Sequence, residues 1–116
     1  MKTKLTIEQS KRLIELGVDK SLADIVSANE PYYPDDVEFS LGALFSILPK
    51  KITDRRKVYN LQIEISDCLD ADDKWCILYR NSLGIDELDS FQSAEELIDA
   101  IYNILVWLKE NKIQEL

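Results

Sequence analysis

The sequence predicts an α+β domain spanning residues 1–116: N-terminal helices, an antiparallel β-hairpin or small three-stranded sheet, and a long C-terminal helix packed on the sheet. Three observations predict it. A capped amphipathic pattern fills Ser93–Lys112, a capping box opens at Thr6, and between them two stretches alternate with the period of a strand.

At the N-terminus, Thr6 and Gln9 have the spacing of a capping box, and the helix they open runs to about Leu16 with Ile7, Leu13, Ile14 and Leu16 apolar. Gly17 suits the left-handed position after a helix, and Val18 can fold back on Leu13 in a Schellman arrangement. Asp19 then caps a second short helix carrying Leu22, Ala23, Ile25 and Val26. Helix, tight turn, helix is also the outline of a DNA reader. Here the second helix, KSLADIVSAN, carries one Lys and no Arg, so it lacks the usual means of reading guanine, and nucleic acid is disfavoured as a partner.

Glu30–Glu38, EPYYPDDVE, reads as a loop in which two prolines hold Tyr32 and Tyr33 in a semi-rigid turn. Such a Tyr pair lines a ligand groove or seals a core edge. Ser40 caps a third helix, Leu41–Leu48, which Pro49 ends. The only basic cluster follows: Lys50, Lys51, Arg55, Arg56 and Lys57. It reads as a solvated linker, or as a holder of phosphate together with Tyr32 and Tyr33.

Tyr59, Leu61, Ile63 and Ile65 alternate with Asn60, Gln62, Glu64 and Ser66, which predicts a strand with one wet face. The second strand, Lys74–Arg80, is apolar on both faces and belongs in the middle of a sheet, with a hairpin loop near Leu69–Asp73 before it. Asn81–Gln92 is irregular, with a turn at Gly84 and an edge strand around Leu88–Phe91. In the last helix Ser93 and Glu96 form the capping box, and Leu97, Ala100, Ile101, Ile104, Leu105, Trp107 and Leu108 fill one broad face. Tyr102 and Val106 break that pattern near the polar side, as residues touching a partner or second subunit would.

Composition closes many routes to catalysis. There is no histidine, which removes Ser-His-Asp and Cys-His arrangements, and the three glycines are too scattered for a phosphate-binding loop. No catalytic residue, metal ligand set or cofactor is predicted, and the expectation is a non-enzymatic protein. Asp70, Asp72 and Asp73 offer oxygens on a short loop but lack the glycine and glutamate spacing of a calcium loop. Cys68 and Cys76 flank the same hairpin; free thiols suit a reducing compartment, and Cys76 reads as a small core residue. The start, MKTKLTIEQS, lacks the apolar run of a secretory signal, and no apolar stretch approaches membrane-spanning length. A cytoplasmic protein without a membrane partner is expected.

The net charge of −8 is unevenly spread: residues 1–57 hold ten Lys/Arg against nine Asp/Glu, and residues 58–116 hold four against thirteen. An acidic half suits a basic partner surface.

Three stretches, LTIEQSKRLIELGVD at 5–19, FSLGALFSILPKKI at 39–52 and ELIDAIYNILVWLKENK at 96–112, together resemble a set of small uncharacterised proteins of gut Bacteroidales associated with phage-like or mobile genetic elements. The resemblance implies a bacterial, cytoplasmic setting and an accessory role in a mobile element. It transfers no activity and no site residues, because the shared motifs are helix caps and core.

The expected function is a protein-interaction module that binds an unidentified, basic protein through an acidic surface comprising Asp70, Asp72, Asp73, Glu95, Asp99, Tyr102 and Val106, with self-association left open. The alternative is a small-ligand or nucleic-acid binder using Tyr32, Tyr33, Lys50, Lys51, Arg55 and Arg56.

Overall fold

The computed structural model describes residues 2–26, 37–54, 57–65, 74–81, 92–111 and 114–115. The predicted loop tip at 66–73, the turn at Gly84 and the edge strand at 88–91 lie outside them.

Helix α1, Ile7–Glu15, begins as its sequence dictates: Thr6 accepts from the Gln9 N–H, and the Gln9 side chain accepts from the Thr6 N–H. It ends in a Schellman motif. Gly17 sits at φ 111°, its N–H donates to Ile14, and the Val18 N–H donates to Leu13. Leu13 and Val18 are both buried, so the cap is also a hydrophobic contact.

The second helix expected after Asp19 does not form. Asp19 accepts from the Ser21 N–H and closes only a 3-10 turn, Lys20–Leu22. Ile25 and Val26 then extend as strand β1 and pair with β2, Val37–Glu38, at the end of the segment read as a loop. Two β-branched residues favour that extended pairing. Asp24 supplies a competing anchor: its carboxylate accepts from the N–H and the hydroxyl of Ser40, and that hydroxyl in turn accepts from Ala43 to cap helix α2, Leu41–Ile47. Leu48 is extended, as a residue before proline must be, and α2 stops there.

The supposed linker is a strand. Lys51–Asp54 forms β3, with Ile52 fully buried, and pairs with β4, Lys57–Ile65. β4 pairs along its length with β5, Trp75–Asn81, which pairs in turn with β6, Gln92–Ala94; β7, Gln114–Glu115, adds to β3. The sheet order is β6-β5-β4-β3-β7, all antiparallel, which makes it larger than the sequence suggests. β5 is an interior strand with Cys76, Ile77, Leu78 and Tyr79 all buried, as its two apolar faces require. Cys76 is thus the core residue expected.

Helix α3 runs Leu97–Glu110 and starts three residues later than its capping box predicts. Ser93 lies in β6 opposite Cys76, and the Lys74 N–H donates to the Ala94 carbonyl, so sheet pairing displaces the cap. Leu97, Ile98, Ala100, Ile101, Ile104, Leu105 and Leu108 are buried in one cluster with Ile52, Tyr59, Ile77 and Tyr79 of the sheet, whereas Trp107 is only half-buried. Burying each large side chain contributes about 1.5–3 kcal/mol. The N-terminal residues complete this layer. Leu5 is buried, its N–H donates to Phe39, and Phe39 donates to the buried Ser10 hydroxyl. Buried Glu38 is paired with Lys4 at 2.8 Å.

Truncation at the helix–sheet contact should be severe: Ile101→Ala is expected to cost about 2–5 kcal/mol in urea unfolding, against about 1 kcal/mol for removing the cap with Thr6→Ala. The Asp24–Ser40 link predicts a pH dependence. The Ser40 hydroxyl, and then its N–H, hold the Asp24 carboxyl below its ordinary 3.8. A carboxyl lowered in the folded state stabilises fully above about pH 4, and the effect is lost as pH falls through the folded value. Asp24→Ala should therefore melt below wild type at neutral pH, with the two melting temperatures converging as the pH drops below about 4.

Candidate interaction surfaces

The acidic start of α3 is partly an internal fastener. Asp99 accepts from Lys2 Nζ at 2.8 Å and from Gln9 Nε2 at 3.2 Å, and Glu96 accepts from the Lys2 backbone N–H at 3.1 Å. Lys2 Nζ also donates to Gln9 at 3.3 Å, closing a three-residue clasp between the N-terminus, α1 and α3. At the other end of the same two helices, Arg12 donates to Glu110 at 3.0 Å. Asp99 is therefore not a free recognition charge.

Tyr102 and Val106 pack partly against the core and, with Gln92, Asn103, Trp107 and Glu110, line a shallow groove of about 230 Å³. A deeper cleft of about 470 Å³ opens between the turn after α1 (Gly17, Val18, Asp19, Leu22), the end of α2 (Ser46, Ile47, Pro49) and the last turns of α3 (Leu105, Leu108, Lys109). A neighbouring hollow of about 460 Å³ shares Leu22, Ser46 and Ile47 and extends to Asp24, Gly42 and Ala43. Leu22, 49% exposed, stands between them. Its three walls come from segments far apart in the chain, so no local sequence pattern announces it.

The basic cluster is dispersed by the fold. Lys50 turns back, donates to the Phe45 and Leu48 carbonyls at the end of α2, and lies 5.9 Å from the Phe45 ring centre. It completes a helix terminus, where a cation is favoured. Lys51 is exposed in β3, and Tyr32, Tyr33, Arg55 and Arg56 lie outside the described residues.

Exposed carboxylates are spread over the described residues, at Glu8, Glu15, Asp19, Asp24 and Glu110 as well as at one end of the sheet. Ile65, Trp75 and Ala94 stand in one cross-strand row, with Glu64, Cys76 and Ser93 in the next. Ile65 was expected on the buried face with Tyr59, Leu61 and Ile63, but it lies past the cover of the helices and is 71% exposed. Glu64 and Glu95 are exposed beside that row. Arg80 reaches along the outer face to Gln62 at 3.0 Å and Glu64 at 3.5 Å, crossing the buried Leu78. The chain leaves this end at Ile65 and returns at Lys74, and the sequence between them, SDCLDADD, includes Asp70, Asp72 and Asp73. The placement of those three aspartates and of Cys68 lies outside the described residues. Among the described residues no group of three Cys, Asp or Glu side chains could hold a metal ion, and no helix is long and apolar enough to cross a membrane.

No protein-family model, curated protein or solved structure matches this chain, and the functional reading therefore rests on its own geometry.

Proposed function

We propose that this domain is a non-enzymatic protein-interaction module, an accessory protein that engages a basic partner through the acidic end of its sheet. The observation that carries the reading is that exposed Ile65, Glu64 and Glu95 all lie at one end of the sheet. An exposed apolar residue with carboxylates nearby has the makeup of an interaction patch: the charges steer and discriminate, and the apolar contact adds affinity. Asp99 leaves the expected surface, since it secures Lys2, while Tyr102 and Val106 line a separate groove.

The 470 Å³ cleft supports a second reading, binding of a small ligand, since it falls within the usual size range of ligand pockets. That reading moves the site from the basic cluster to Leu22, Ile47 and Leu105. A fragment screen by thermal shift tests it, because a ligand of the native state must raise the melting temperature; hits that vanish in Leu22→Glu are expected.

For the leading reading, affinity capture is compared between wild type and Glu64→Lys/Glu95→Lys. Both side chains are exposed, so the double variant should fold. Proteins held by wild type should leave with rising salt and be absent from the variant eluate. An identical set captured by both proteins would count decisively against the acidic end as the binding surface.

A further inference from the structure

β4 outruns its neighbour. β3 pairs only with Lys57–Asn60, and the last hydrogen bond on that side is from the Leu61 N–H to the Lys50 carbonyl at 2.9 Å. Pro49 and the end of α2 come next, so the chain has already turned away from the sheet. On its other side β4 stays paired with β5 as far as Ile65. Backbone groups alternate sides along a strand, so the N–H and C=O groups of Ile63 and Ile65 point the same way as those of Leu61, toward the side that β3 has vacated. Among the described residues no strand pairs with that side of 62–65.

We propose that this edge of β4, which no described strand covers, takes up a basic extended segment of a partner protein as an added antiparallel strand, bonded through the backbone of Ile63 and Ile65. The inference rests on the acidic-end reading above and specifies how that end binds. Edge addition draws affinity from main-chain hydrogen bonds and specificity from alternate side chains. Here the alternate side chains are Glu64 on one face and Ile63 and Ile65 on the other, so the fitting segment alternates Lys or Arg with apolar residues. A second copy of this chain fits poorly: the antiparallel register that uses Ile63 and Ile65 of both copies sets Glu64 directly against Glu64, a destabilising like-charge pair.

The test uses the full chain, isotope-labelled, and a short peptide alternating lysine and valine. Its controls are the same peptide N-methylated on the residues that face the edge, and one with glutamate in place of lysine. The expected result is salt-sensitive binding of the lysine–valine peptide with slowed exchange of the Ile63 and Ile65 amides, at least about tenfold weaker binding of the N-methylated peptide, and none of the glutamate peptide. Ile65→Pro should also weaken binding, because it removes an outward N–H that bonds to no neighbouring strand. If both lysine peptides bind equally and neither amide is protected, strand addition is wrong while the acidic-end reading stands. If neither lysine peptide binds, both readings fall. The amide measurement on wild type decides the matter even if Ile65→Pro does not fold.

Discussion

Everything in this domain depends on the burial of one face of α3 against the inner face of the sheet. A sheet needs its apolar face covered to be stable in water, and this five-stranded one is covered by a helix with Ile98, Ile101 and Ile104 fully buried. Tyr79 joins the layers further. Its ring is buried beneath the helices, and its hydroxyl donates to the Pro49 carbonyl at 2.8 Å. The strand under α3 is thereby tied to the junction where α2 ends and β3 begins. A buried tyrosine needs such a partner for its hydroxyl, so the bond fixes the junction as well as satisfying the ring.

The charge asymmetry of the chain is in part a consequence of folding. Basic residues of the first half meet acidic residues of the second in two places: Lys2 with Asp99, and Arg12 with Glu110. Pairs at or near the surface contribute little stability individually. They do fix how α1 sits along α3, at both ends of that contact. Counting carboxylates along the sequence therefore overstates the acidic surface. At the sheet end, Glu95 and Glu64 remain exposed, Glu64 with Arg80 3.5 Å away on the neighbouring strand.

The elements legible in the sequence are those whose signals are local. The Thr6 box, the Gly17 turn, the Ser40 cap and the doubly apolar β5 all form as read, because nothing distant competes with them. Three readings failed where a tertiary partner intervened. Ser93 has the residues of an N-cap, yet its backbone completes the ladder opposite Cys76, and α3 starts later with Glu96 at its cap, whose side chain bonds Lys2 and not the helix's own first turn. Asp19 begins a turn that could have continued as a helix, but Asp24 is drawn to Ser40 and Ile25–Val26 to Val37–Glu38. Lys51–Asp54 is too short and too charged to display alternation; only the neighbouring β4 and the buried Ile52 make it a strand. The candidate surface was half legible. Its acidic composition and Glu95 could be read from the chain, whereas the diversion of Asp99 to Lys2, the exposure of Ile65 and the helical cleft depend on contacts between distant segments.

The edge of β4 that no described strand covers follows from the same constraints. Pro49 must stop α2, and β3 starts only after that stop, so it is too short to cover β4, while β5 is long enough to keep β4 extended to Ile65. An uncovered strand end carrying an exposed isoleucine is ordinarily an aggregation hazard, which proteins offset by placing charge on the edge. Glu64 stands between the two outward-facing residues. Its charge repels a second identical edge, where Glu64 would meet Glu64, and favours a basic strand. In the proposed strand addition, protection from self-association and selectivity for a basic extended partner are one electrostatic property acting on the same backbone groups.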